Sequence, residues 1–253
     1  MRYALKVAYD GTDFCGWQVQ TNGYSVQQAL ADAAKAAFGE DVTFTASGRT
    51  DSGVHALGQV CHADIATNIP AERLADALNC HLPRSVSVLA SAAAPEGFDA
   101  NRSAKRKTYV YNLCFAPRRN PLKDRYSVHI KGAIDLTALR EAAALFVGEH
   151  DFKAYCASRS QVKTTVRTIY SADVQPEGED VKICVCGGGF LYNMVRTMVG
   201  TMLGAASGTL PPENIIRSLE TGDRSLVGKT MPARGLILRD VDYGFDLFGC
   251  AGR

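Results

Sequence analysis

Residues 47–56 read Ser-Gly-Arg-Thr-Asp-Ser-Gly-Val-His-Ala, setting Asp51 between two glycines and two positions from Arg49, with apolar sequence resuming on both sides. Gly48 and Gly53 open backbone angles closed to other residues and let another backbone or a ligand come close. The turn can therefore lift one carboxylate and one guanidinium out of a scaffold. An ionised carboxylate so presented can form a covalent adduct or stabilise positive charge, provided a neighbouring cation keeps it deprotonated. Asp and Gly are also ordinary turn formers, and on spacing alone a solvated turn accounts for the same residues.

A second candidate is Arg196, which stands to one side of an apolar helical pattern. A half-buried guanidinium needs an anionic partner, although an arginine can also snorkel past an apolar stripe into water. Tyr109 and Tyr111 share one strand face beside Lys105, Arg106 and Lys107, an arrangement that suits base stacking and core packing equally. Basic residues gather in three places: Arg102 to Lys107, Arg118 with Arg119, and Arg159, Lys163 and Arg167. The formal net charge is only +2. Phosphate binding needs a local basic surface rather than a high overall charge, so these clusters point to a polyanion.

The eight cysteines are spread along the chain rather than packed into a short loop-rich scaffold, which predicts reduced thiols. Cys61-His62 and Cys80-His81 place neighbours on opposite strand faces, and the two-residue gaps of zinc knuckles are absent. No metal site is therefore expected. Gly187-Gly-Gly189 lacks the Gly-Lys-Ser/Thr end of a phosphate loop and reads as a strand-to-helix link. A composition 46% hydrophobic and 21% charged is ordinary for a soluble globular enzyme. The opening residues alternate like a first strand, so neither a leader nor a membrane span is expected, and the protein is expected in the cytoplasm.

The elements that must position these residues follow from periodicity. Alternation predicts strands at Tyr3 to Tyr9, Val42 to Ala46, Gln59 to Ile65, Val86 to Ala93 and Thr108 to Phe115. Ser25-Val-Gln-Gln28 is a capping-box start for a helix carrying Val26, Ala29, Leu30, Ala33 and Ala37 on one face. A short helix is expected at Ala71 to Cys80. The second half repeats the recipe, with a helix through Leu136 and Phe146, a hairpin around Gln175 to Glu179, a helix from Pro212 to Leu219, and a closing strand at Leu236 to Tyr243. The helix from Phe190 to about Ala206 carries a stripe of Leu191, Met194, Val195, Met198, Val199, Met202 and Leu203 and is expected to be buried. Asn193, Arg196, Gly200 and Gly204 lie toward another side. The fold class is α+β, two α/β halves with mainly antiparallel sheets: 1–104 carrying the Asp51 loop, 105–245 carrying Tyr109 and Arg196, and a tail, 246–253.

Five segments in order resemble one family, the tRNA pseudouridine synthases of the A type. They are Tyr9-Asp-Gly-Thr12 with Phe14-Cys-Gly-Trp-Gln18, Gly48 to Ala56, Lys107-Thr-Tyr-Val-Tyr111, Phe190-Leu-Tyr-Asn-Met-Val-Arg196, and Pro232-Ala-Arg-Gly-Leu236. The resemblance implies a central sheet flanked by helices with an active-site cleft between the halves. It also implies conversion of uridine to pseudouridine at positions 38, 39 and 40 of the tRNA anticodon stem-loop, without a cofactor, by a homodimer. By the same resemblance Asp51 is the nucleophile, Arg196 its partner, and Tyr109 the ring that stacks on uracil and a candidate base for the C5 proton. Arg49 helps flip the nucleotide, and Arg102, Lys105, Arg106 and Lys107 contact substrate. One departure stands out: where the family places an arginine directly after Phe98-Asp99-Ala100, this chain has Asn101 before Arg102. A non-catalytic structured-RNA-binding protein would keep the basic, aromatic strands, but would have no use for a loop aspartate paired with a buried arginine. A glycosidase would need a second carboxyl group, and the Asp51 turn supplies none.

Overall fold

The computed structural model of the 253-residue chain describes residues 1–157 and 162–249. Arg159, Cys250 and the last residues of the tail lie outside the described residues. Two compact units are formed, one from residues 1–106 together with those from 238 onward, the other from residues 107–237.

In the first unit β1 (Arg2–Tyr9) lies between two antiparallel neighbours, β3 (His55–Asp64) and β4 (Val86–Ala93). Tyr3, Leu5, Val7 and Tyr9 are buried, as their alternation requires. Ser25 caps α1 (Val26–Phe38) by accepting from the Gln28 amide at 3.1 Å, and Gly39, with φ +76°, ends it. The apolar face of α1, Val26, Ala29, Leu30, Ala33 and Ala34, is buried. The strand expected over residues 42–46 shrinks to β2 (Thr45–Ala46), which pairs with β3. Val42 and Phe44 are buried without a ladder, and the Phe44 carbonyl accepts instead from Gln27 Nε2 at 2.8 Å. Alternation reported burial here, not strand pairing. Conversely, β3 begins four residues earlier than expected, so the strand issues directly from the Asp51 loop. A short 3-10 turn leads into α2 (Leu74–Asn79), which packs on β4.

The second unit has the antiparallel order β5 (Arg106–Cys114), β9 (Asp180–Gly187), β8 (Val166–Glu177), β7 (Gly148–Asp151). A two-residue strand, β6 (Val128–His129), adds parallel to β5. The β8–β9 ladder runs to Glu177 opposite Asp180, so the turn tightens to Gly178-Glu179 and Pro176 stays within the hairpin. α3 (Leu136–Ala144), capped by Asp135, packs on β8 and on α4 (Met194–Ala206). The latter helix starts four residues later than its stripe suggested, because residues 191–194 make a turn. α4 is also buried on the side of Gly200 and Gly204. A Cβ at Gly200 would fall on the Lys229 carbonyl, and one at Gly204 would lie 2.5 Å from Leu210 Cδ1. α5 (Glu213–Thr221) follows, and β10 (Leu236–Asp242) carries the chain back, its residues from Leu238 onward belonging to the first unit beside β3. Among the described residues no helix is long and apolar enough to cross a membrane.

Candidate active site

The Asp51 loop is fixed mainly through its backbone. At its entrance the Ser47 amide donates to the Val60 carbonyl at 2.7 Å. The Ser47 hydroxyl donates to Gln59 Oε1 at 2.7 Å, and Gln59 Nε2 in turn donates to the Gly48 carbonyl at 2.9 Å. In the middle, the buried Thr50 hydroxyl meets the Tyr9 hydroxyl at 2.7 Å, and the Thr50 carbonyl accepts from the Trp17 amide at 3.1 Å. At the exit, the Val54 amide closes on the Asp51 carbonyl at 3.1 Å, and Gly53 takes φ +77°. His55 is buried with Nδ1 3.0 Å from the Gly11 amide, joining the start of β3 to the turn after β1.

These contacts explain the two short motifs that precede the loop. A Cβ at Gly11 would overlap the Val54 carbonyl. A Cβ at Gly16, whose φ is +104°, would sit 2.6 Å from the Thr50 carbonyl oxygen and 3.2 Å from the Asp51 carbonyl carbon. Only glycine allows residues 9–18 to lie flat against the loop backbone. The same segment feeds α1, whose first amides, Val26 and Gln27, donate to the Gly16 and Trp17 carbonyls at 3.2 and 3.0 Å. On this base Asp51 is half-buried and Arg49 is exposed.

Arg49 also borders a cavity of about 240 Å³ that includes Trp17, Gln27, Phe44, Gly48 and Asn101 in its walls. Arg102 is exposed and is not part of that wall; Asn101 is. The cause is the Asp99 carboxylate, which accepts from both the Asn101 and Arg102 amides at 2.9 Å and winds the chain into a tight turn. Those two bonds, that to Arg102 foremost, hold the Asp99 carboxyl below its ordinary range.

In the second unit Tyr109 is buried on β5, opposite Val185 of β9, and its ring meets Phe190 edge to face at 5.0 Å. The basic cluster is divided: Lys105 lies just before β5 and is exposed, and alternation along the strand leaves Arg106 exposed but buries Lys107 on the face of Tyr109 and Tyr111. Burial, and then the charge of Arg167, push the Lys107 ammonium down to about 8. This separation of Lys107 from its neighbours was not anticipated from the sequence, although its register with Tyr109 carries the signal.

Arg196 is half-buried near the start of α4. Its Nε donates to the Met231 carbonyl at 2.7 Å, its Nη1 donates to Asn193 Oδ1 at 2.7 Å, and its own carbonyl accepts from the Met231 amide at 3.2 Å. The Pro232 to Leu236 motif belongs to this support. The Pro232 carbonyl accepts from the Tyr111 hydroxyl at 2.7 Å, and a Cβ at Gly235 would lie 2.7 Å from Tyr111 Cζ. Its Arg234 points to Asp124, with Nη2 3.6 Å from Oδ1. Asn193, Phe190, Gly11 and Gly16 are the supporting residues to which sequence reasoning gave no individual role. The first unit thus presents a carboxylate and a guanidinium from one loop, and the second a buried aromatic with a lysine on the same face and a clamped arginine.

A family model described as tRNA pseudouridine synthase matches residues 6–101 and 142–244, spans that contain the Asp51 loop and Arg196 but not β5. The tRNA pseudouridine synthase A of Geotalea uraniireducens is 42% identical over 239 residues, covering 94% of this chain and 98% of its own. That of Shouchella clausii is 44% identical over 248 residues, covering 98% and 95%. Among solved structures, a Cbf5-Nop10-Gar1 complex aligns with 79% of this chain and 45% of its own at 16% identity and a TM-score of 0.34. The chain belongs to the tRNA pseudouridine synthase family.

Proposed function

We propose that this protein isomerises uridine to pseudouridine in tRNA, at positions 38, 39 and 40 of the anticodon stem-loop, with Asp51 as the nucleophile. The observation that carries the reading is the Asp51 loop itself, a carboxylate presented on a backbone that Gly11 and Gly16 approach closely, in a chain of this family. The reaction breaks C1′–N1, turns the uracil and joins C5 to C1′. The proton lost from C5 balances the one gained at N1, so no cofactor is consumed. An ionised carboxylate is what bond cleavage at C1′ requires, and Arg196 is the cation that keeps Asp51 ionised. Tyr109 packs on the uracil and takes the C5 proton. An unperturbed phenol, with a pKa of about 10, needs help to do so at neutral pH. A stacked uridine cannot be reached in place, so it is flipped out, and the exposed Arg49 fills the gap it leaves.

Substrate binding is led by shape and charge. Arg102, Lys105 and Arg106 are exposed and suited to phosphate contacts, so affinity falls as salt rises. The same reading makes the protein a homodimer that cradles one tRNA, which light scattering coupled to gel filtration tests directly. For the chemistry, tritium release is measured from tRNA transcripts labelled at uridine C5, alongside free uracil. Wild type should release tritium without uracil. Asp51→Ala should be slower by roughly four orders of magnitude while still binding tRNA. Transcripts with cytidine at all three positions should release none. Binding by both proteins with release by neither would make the chain a structured-RNA-binding protein instead.

A further inference from the structure

Asn193 combines two features. It is the one non-glycine residue with a left-handed backbone among the described residues, at φ +65°. It also stands at the N-cap of α4, where a side chain normally accepts from the first helical amides, yet its side chain makes no such bond. Its Oδ1 instead accepts from Arg196 Nη1 at 2.7 Å.

The backbone explains why the side chain can turn that way. The Met194 amide donates to the Leu191 carbonyl at 3.1 Å, which makes residues 191–194 a tight turn with Asn193 at the position that needs a positive φ. The Asn193 carbonyl meanwhile accepts from the Thr197 amide at 3.0 Å, so the helix has already begun. Turn geometry by itself is served best by glycine, which takes a positive φ at no steric cost. Glycine offers no acceptor. Asparagine is among the few residues that tolerate this backbone and also carry a short side-chain oxygen.

Clamping matters because a guanidinium has five donors in a rigid fork, and its charge acts on a carboxylate only from a defined orientation. Met231 fixes the Nε edge. A second acceptor on Nη1 removes the remaining rotation and leaves the other donors to point elsewhere. We propose that Asn193 is a positioning residue, whose side-chain oxygen orients the Arg196 guanidinium for the pairing with Asp51 that the proposed function assigns to it. The inference rests on that reading of Arg196.

Asn193→Gly separates the two demands, since it keeps the turn and deletes the acceptor. It should leave the melting midpoint and tRNA affinity near those of wild type and lower kcat by about 10- to 100-fold, the usual effect of loosening a catalytic group's support. Asn193→His is the rescue. Histidine also tolerates this backbone and places Nδ1 where Oδ1 was, but accepts a bond only when neutral. Its turnover should approach wild type at pH 8 and fall below about pH 6.5 in a step that wild type lacks. Tyr111, a phenol that feels the Arg196 charge, stays protonated across that range because burial raises it.

Arg196→Met is assayed beside them. If it turns over normally, the role of Arg196 is wrong and the inference falls with it. If it is inactive while Asn193→Gly keeps wild-type kcat, the reading of Arg196 stands and the positioning role is overturned. If Asn193→Gly melts early, the histidine variant decides: an added pH step supports positioning, and a profile parallel to wild type overturns it.

Discussion

The Asp51 loop and the Tyr109–Arg196 assembly place chemical groups by opposite means. In the loop the backbone is fixed, through Trp17 on the Thr50 carbonyl, Gln59 on the Gly48 carbonyl and the flat approach of Gly11 and Gly16. In the second unit each side chain is fixed individually, Tyr109 by the Phe190 ring and Arg196 by Met231 and Asn193. The contrast teaches that a small residue can be the critical support in one region and a polar acceptor in the other. Truncating a supporting side chain should therefore loosen Tyr109 or Arg196, whereas adding one at Gly11 or Gly16 should displace the loop.

Arg196→Met tests the first half of that contrast most severely. Turnover should fall by about three orders of magnitude with tRNA affinity unchanged, as measured by steady-state tritium release and filter binding. Near-normal turnover would remove Arg196 from the mechanism. Tyr109→Phe follows, with an expected loss of about a hundredfold in C5 tritium release and no loss in binding. Glycosidic cleavage should still occur in that variant, visible as an intermediate in quenched single-turnover samples. Full activity would restrict the ring to stacking.

Around the loop, Gly16→Ala should cost about 2–4 kcal/mol in urea unfolding, since the added carbon meets the Thr50 carbonyl and φ +104° is strained for alanine. Gly39→Ala is the control. Its φ is +76°, but nothing lies within 4 Å, so only the backbone term remains, about 1–2 kcal/mol. Equal losses at the two sites would mean that close approach is not what holds the loop.

The smallest effect concerns Lys107, buried beside Tyr109. Its folded value of about 8 lies below the ordinary 10.5 because burial disfavours the charged form. Below about pH 8 both folded and unfolded chains hold the proton, and the cost of burying the charge is present in full. Between about 8 and 10.5 the unfolded chain binds more protons, so stability rises with pH until the cost is relieved. Lys107→Met should lack that rise. Unfolding midpoints measured at several pH values across the window should show the two proteins converging from a more stable variant at neutral pH. Parallel curves would mean that Lys107 keeps its ordinary affinity for protons.

Much of this was legible in the sequence alone. Ser25 as a cap, the buried face of α1 and the β8–β9 hairpin follow from local pattern, because each depends on residues a few positions apart. The family was carried by five short motifs in order. Where local pattern misled, a distant contact had intervened. Val42 and Phe44 alternate like a strand but are buried without pairing. Residues 190–193, though apolar enough to extend α4, are turned aside at Asn193. The basic run 105–107 looked uniform until the pleat of β5 sent Lys107 inward.

Local sequence thus dictated most of the elements, the α+β class and the family, since periodicity and motif order are properties of neighbours along the chain. Tertiary structure alone decided why Gly11 and Gly16 must be glycine, why Asn101 rather than Arg102 borders the cavity, and why Asn193 faces Arg196 instead of capping its helix. Each of those depends on an atom brought near by folding, or on a backbone angle that no pattern of residue types encodes.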